Sequence, residues 1–335
     1  MEIVQRPYEN AFLKWGKDNK KIIVLTADLT NSCEAGVWSK TYPERYFAMG
    51  LTEQNMVSVA AGLARKGFIP YLHTFAVFLY RRPYDQLAMS VAYPNLPVRF
   101  MGFLPGVTTP GGVSHQAIED IAMMRAVPNM TIVSIGDATE AETCLDDIHA
   151  VDGPVYVRML RGEVPRLFSK DDPFVLDRAR VLSKGNDVTV LTEGVCTEEA
   201  MRATAILGAK GLSINHLHVS TLKPFTDPQI LKAINEAKYG VITMENHLAS
   251  GGLGGAVSEL MTDEGIGKKL IRLGLQDTFV HGASKLYLMK KYGLDASALI
   301  AAVEKLTGKK FNINEGELAE VRIEPVNSSA KAEGL

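Results

Sequence analysis

Short apolar runs alternate along the chain with longer stretches in which apolar residues recur every three or four positions. The short runs read as buried strands and the longer stretches as amphipathic helices. Their alternation predicts an α/β fold of two domains, each a mostly parallel sheet covered by helices. Ile22-Ile23-Val24-Leu25 reads as a strand, and Ala27-Asp28-Leu29 leads off its carboxyl end. Met56, Val59, Ala60 and Leu63 predict a helix over 53–66, with Thr52 as N-cap and Gly67 as stop. Further strands are expected at 71–74, 98–100, 131–134 and 155–159, and a helix at 117–125.

The pattern is interrupted between 163 and 187 by polar, turn-forming residues. It then resumes, with strands expected at 188–191, 213–218 and 241–244 and helices at 197–210 and 227–237. This predicts a first domain over 1–168, a linker over 169–186, a second domain over 187–325 and a fraying tail over 326–335. The 335 residues, 46% of them apolar, suffice for two ordinary cores.

Charge and cysteine usage narrow the function classes. Lys plus Arg number 36 against 38 Asp plus Glu, a net charge of −2. A near-neutral chain has no global attraction to nucleic acid or anionic membrane. No apolar stretch approaches the roughly 20 residues of a membrane span, and residues 1–6 lack the apolar centre of a signal peptide. Cys33, Cys144 and Cys196 are odd in number and far apart. They form neither a disulfide framework nor a metal cluster, which points to a reducing cytoplasm.

Five groups of residues draw attention as chemistry. In Gly50-Leu51-Thr52-Glu53-Gln54-Asn55-Met56, Glu53 opens a helix, where the helix dipole alone would favour it. His73-Thr74-Phe75-Ala76-Val77-Phe78, followed by Arg82-Pro83-Tyr84-Asp85-Gln86, places two Phe three residues apart, ordinarily a sign of core packing. Gly111-Gly112-Val113-Ser114-His115-Gln116-Ala117-Ile118-Glu119-Asp120 sets His115 behind a glycine-rich loop at the carboxyl end of a predicted strand, where open α/β sheets bind ligands. Arg6, Ser32 and Arg161 are scattered, and each alone reads as a surface residue. In the second domain, Thr221-Leu222-Lys223-Pro224-Phe225, Met244-Glu245-Asn246-His247 and Gly251-Gly252-Leu253-Gly254-Gly255 complete the set. The glycine run lacks the Lys-Ser/Thr of a phosphate loop, and its glycines suit close backbone packing.

Taken in order, these stretches resemble the pyrimidine-binding and C-terminal domains of transketolases over residues 3 to about 310. The resemblance implies thiamine diphosphate as cofactor. Glu53 then hydrogen-bonds a ring nitrogen of the aminopyrimidine, as a carboxyl group screened from water is suited to do. Phe78 lies against the ring face and Phe75 supports it. His115 contacts the oxygen at the reacting carbon. Arg82 matches an Arg of split transketolases and deoxyxylulose-phosphate synthases. Arg6, Ser32 and Arg161 match positions that hold a sugar phosphate, a task suited to the planar guanidinium fork. Gly111 replaces an Asp that reads sugar hydroxyls, and Phe103 replaces a substrate His. Losing such polar groups shifts discrimination and leaves room for a branched donor such as apulose 4-phosphate, on which some split transketolases act.

The family holds the cofactor's diphosphate through Mg²⁺ or Ca²⁺ on a Gly-Asp-Gly motif, and Gly136-Asp137-Ala138 is the nearest approach here. The resemblance therefore implies an N-terminal partner subunit carrying the diphosphate-binding domain and the metal, in a heterotetramer of two plus two. The competing readings are the beta subunit of a 2-oxo acid dehydrogenase, a deoxyxylulose-phosphate-synthase-like fragment, and an inert scaffold subunit.

Overall fold

The computed structural model describes residues 1–328. Its strands form two large sheets and a two-stranded ribbon, in which Ile3–Gln5 pairs antiparallel with Glu163–Pro165. The first sheet has seven strands in the spatial order Thr221–Lys223, Thr131–Ser134, Val155–Met159, Arg99–Phe103, Ile69–Phe75, Ile22–Thr26, Tyr46–Ala48. All neighbours are parallel except the first pair. The second has five strands in the order Leu270–Leu275, Gly240–Leu248, Val188–Thr192, Ile214–His218, Arg180–Ser183, and only the last is antiparallel. The strands Ile22–Thr26, Arg99–Phe103, Thr131–Ser134 and Val155–Met159 are buried along their whole length. A parallel sheet covered on both faces requires this, and it explains their largely apolar composition.

The α/β architecture agrees with the sequence, and several details differ. The helix expected at 53–66 is Glu53–Arg65, and Gly67, with φ of 86°, ends it in the left-handed region. Thr52 occupies the N-cap position, its carbonyl accepting from the Met56 amide at 2.9 Å, but its hydroxyl donates to the Met49 carbonyl at 2.7 Å rather than accepting from the helix. The buried face runs through Glu53, Met56, Val57, Ala60, Ala61 and Ala64, which leaves Val59 exposed. The helix expected at 117–125 is confined to Asp120–Arg125, because Ala117 is drawn into a bridge with Pro105.

The linker expected over 169–186 contains Arg180–Ser183, the edge strand of the second sheet. Its four residues, Arg180, Val181, Leu182 and Ser183, are too few and lack the alternation that would mark a strand without its partner. One strand also crosses between the domains. Thr221–Lys223 leaves the second domain and pairs with Thr131–Ser134 of the first sheet. The tail expected from 326 is anchored at its start. Val326 bridges Phe168, and the Ser328 amide donates to Asp172 at 2.8 Å; residues 329–335 of that tail lie outside the described residues. Among the described residues no helix is long and apolar enough to cross a membrane.

A buried polar network joins the two sheets. Arg158 donates to Asp120 at 2.9 Å, to Glu193 at 3.1 Å, and to the carbonyls of Ala117 and Asn246 at 3.2 and 2.9 Å. The Arg158, Asp120 and Glu193 side chains are at most 1% exposed. Burial pushes the Glu193 carboxyl up, but the Arg158 charge and the Ser134 hydroxyl outweigh it and hold the carboxyl below its ordinary value. Asn246 accepts from the Val107 amide at 2.9 Å and donates to the Pro105 carbonyl at 3.0 Å. Removing one member strands the others in a low-dielectric interior. Arg158→Met is therefore expected to destabilise the protein by about 3–5 kcal/mol, read as a fall in the urea midpoint; a change under about 1 kcal/mol would show that the network does not hold the domains.

Candidate active site

The strands Val155–Met159, Arg99–Phe103, Ile69–Phe75 and Ile22–Thr26 are consecutive neighbours in the sheet and parallel. Their carboxyl ends therefore share one edge. Arg161 follows the first of these strands and Gly111 and His115 follow the second. Phe75, Phe78 and Arg82 lie at the end of the third, and Ser32 follows the fourth. Tyr46–Ala48 extends the same edge, and Glu53 opens the helix after it. Residues separated by up to 129 positions meet because strand order in space differs from order in the chain.

These side chains form a continuous row. Glu53, 3% exposed, accepts from Arg82 at 2.5 Å. The Arg82 guanidinium lies 4.2 Å from the Phe78 ring centre. Phe78 meets His115 edge-on, with ring centres 5.6 Å apart, and stacks with Phe75 at 5.9 Å. Arg161 lies 5.8 Å from the Phe75 ring and donates to the Ser32 carbonyl at 3.1 Å. Ser114 and the His115 Nδ1 are 2.8 Å apart. Arg6 joins from the ribbon. Its amide donates to the Gly162 carbonyl at 2.8 Å and its side chain pairs with Glu9 at 2.9 Å.

An acidic support lies beneath the cations. Glu34 is 2% exposed and accepts from the amides of Gly162 and Glu9 at 2.7 and 3.2 Å. Burial pushes its carboxyl above the ordinary value, against those two amides. Arg6, Glu34 and Leu104 all adopt positive φ, at 46°, 51° and 56°. This costs bulky residues energy and holds the loops in one arrangement.

Sequence reasoning missed the clamp that positions the His115 loop. Arg81 makes a two-pronged pair with Glu119 at 2.6 and 2.8 Å and donates to the Val113 carbonyl at 3.1 Å. Burial pushes the Glu119 carboxyl up, but the Arg81 fork outweighs it and holds it below its ordinary value. Arg81 and Glu119 are 38 residues apart, and no local pattern links them. Glu9 and Glu34 were missed for the same reason.

Comparison with known proteins decides the family. Residues 4–166 match the transketolase pyrimidine binding domain, and residues 177–299 match the transketolase C-terminal domain. The chain belongs to the transketolase family. It is 36% identical over 299 residues to a putative transketolase C-terminal section of Methanocaldococcus jannaschii, covering 88% of this chain and 93% of that one. It is also 36% identical over 304 residues to a 6-deoxy-6-sulfo-D-fructose transketolase subunit of Clostridium sp. (strain MSTE9), covering 90% and 94%. A solved structure described as a split gene transketolase, inactive beta4 tetramer, superimposes with a TM-score of 0.83 at 37% identity, covering 91% of this chain and 98% of that one.

Members of the transketolase family depend on thiamine diphosphate. The site fits the aminopyrimidine half of that cofactor: two half-buried aromatic rings stand beside a nearly buried carboxylate on one sheet edge. Among the described residues no group of three His, Cys, Asp or Glu is placed to hold a metal.

Two expectations for this transketolase site need correction. Phe103 is fully buried, packed edge-on against Tyr8 at 5.6 Å and tilted on His73 at 5.7 Å. It belongs to the core beneath the site and offers no apolar wall to a substrate. Gly111 does not leave room for a branched sugar either. A Cβ there would lie 2.8 Å from the His115 Cβ and Cγ, so His115 itself fills the space. The missing side chain is what allows His115 to reach Phe78. Gly111→Ala is expected to push the imidazole off Phe78, changing the chemical shifts of the His115 ring protons as the ring-current contribution is lost; unchanged resonances would show that the loop absorbs the methyl group.

Proposed function

We propose that this chain is the C-terminal subunit of a split transketolase, transferring a two-carbon ketol unit between sugar phosphates. The observation that carries the reading is the unbroken row Glu53, Arg82, Phe78, His115, Phe75, Arg161 and Ser32 along one sheet edge. When bound, thiamine diphosphate supplies the carbon that carries the ketol unit. Phe78, supported by Phe75, stacks on the aminopyrimidine. Glu53 holds a proton at the ring nitrogen, and Arg82 fixes the orientation of its carboxylate. His115 donates a hydrogen bond to the oxygen of the reacting carbon, where charge develops. Arg6, Ser32 and Arg161 bind the sugar phosphate. The donor is left open between linear and branched ketose phosphates, because Gly111 and Phe103 no longer favour a branch.

The second half of the cofactor site is assigned to an N-terminal subunit. That subunit carries the diphosphate-binding domain and the Mg²⁺ or Ca²⁺, in a heterotetramer of two plus two. The description of the solved relative as an inactive beta4 tetramer supports the same division of labour. Cys33, Cys144 and Cys196 are all buried and unpaired, which supports a reducing cytoplasm.

Two measurements test the reading. The purified chain alone is expected to show no ketol transfer from xylulose 5-phosphate to ribose 5-phosphate, and activity is expected on adding the N-terminal subunit; robust turnover without a partner would refute the split. In the reconstituted enzyme, Glu53→Gln is expected to lower kcat by at least about 10²-fold, the scale of one acid–base group, with assembly intact by gel filtration. Near-normal turnover would remove Glu53 from the chemistry.

A further inference from the structure

A cavity of about 250 Å³ opens between the Arg161 strand and the second domain. Leu104, Met159 and Val164 supply apolar walls from the first domain, and Val195 and Lys285 come from the second. Its two cationic groups, Arg161 and Lys285, therefore belong to different domains. The one acidic residue on its rim, Glu163, is exposed and already accepts from the Gln5 side chain at 3.0 Å. Lys285 is half-buried and makes no hydrogen bond or ion pair with any described residue, whereas Lys290 on the same helix pairs with Glu315 at 2.7 Å. Lys285 is thus a half-buried ammonium lining the same cavity as an arginine, with no counter-ion among the described residues.

The segment carrying Lys285 is held against the candidate active site. The Gln116 side chain donates to the His281 carbonyl at 3.5 Å, and a Cβ at Gly112 would lie 3.2 Å from the Gly282 amide. Val107 and Ile118, which flank the His115 loop, share one buried cluster with Leu288 and Met289. Lys285 thus sits on a helix whose buried face packs against the residues around His115.

We propose that Lys285 is a specificity-determining residue, and that with Arg161 it binds the tetrahedral oxyanion, phosphate or sulfonate, at the end of the longer sugar substrates. The second domain then reads chain length. The assignment rests on the reading of Arg161 as a phosphate-binding residue. Short acceptors end near Arg161 and Ser32, while longer ones extend their anionic end into the cavity, where Lys285 supplies the second cation.

The test uses the enzyme reconstituted with its N-terminal subunit and the acceptors glyceraldehyde 3-phosphate, erythrose 4-phosphate and ribose 5-phosphate, with glycolaldehyde as the uncharged reference. Lys285→Ala is expected to raise KM about tenfold or more for ribose 5-phosphate and less than about threefold for glyceraldehyde 3-phosphate, the scale of one charged hydrogen bond. kcat and the glycolaldehyde KM should not move, and Lys285→Arg should restore the ribose 5-phosphate KM. Equal changes across the three phosphates, or none, overturn the assignment. Arg161→Ala separates the two ideas. If it raises KM for the phosphates while Lys285→Ala does not, only Lys285 falls; if it raises none of them, the reading of Arg161 falls. Running the longest acceptor as its phosphate and as its sulfonate identifies the oxyanion, by the larger response to Lys285→Ala.

Discussion

Arg158 is the point on which both sheets and the candidate site depend. Its strand leads directly to Arg161, and its guanidinium holds Asp120 and the Ala117 carbonyl, the segment through which the His115 loop enters its helix. The same group reaches Glu193 and the Asn246 carbonyl of the second domain. A guanidinium with two buried carboxylates contributes little net stability compared with apolar packing, because desolvation offsets much of the attraction. Its contribution here is geometric. Four hydrogen bonds from one planar fork constrain strand, loop and second domain together, so the loops at the sheet edge are set by contacts beneath them.

The same logic recurs at the edge itself. Arg81 ties the His115 loop to the segment after the Phe78 helix, and Arg82 ties Glu53 to the Phe78 face. Glu34 anchors the loop after Ile22–Thr26 to Gly162 and to the helix that follows Arg6. Each polar bridge joins two loops that the sheet has already brought near. Parallel strands supply the proximity and charged hydrogen bonds supply the register. The positive φ of Arg6, Glu34 and Leu104 in these loops shows that the arrangement is imposed by tertiary contacts rather than chosen by local preference.

Besides Glu193, the second domain enters this arrangement through the strand Thr221–Lys223 in the first sheet, Asn246 against the Pro105–Val107 turn, and the 281–285 segment against the His115 loop. It is therefore structurally continuous with the candidate site. This continuity gives a physical reason for the two domains to occur on one chain.

What the sequence determined by itself was local. Ile22–Thr26 and Val155–Met159 read as buried strands because each is short and dominated by β-branched and other apolar residues, Arg158 apart. The resemblance carried by Glu53, Phe78 and His115 identified the family because those side chains sit at fixed offsets within short segments. Tertiary structure decided everything that required two distant segments to meet. Arg180–Ser183 is a strand only because Ile214–His218 pairs with it. Gly111 is small because His115 occupies its space, which reversed the expectation of a gap. Phe103 is core because Tyr8 and His73 close over it. Burial, hydrogen-bond partners and available volume are properties of pairs of segments, and a single chain read in order contains only one member of each pair at a time.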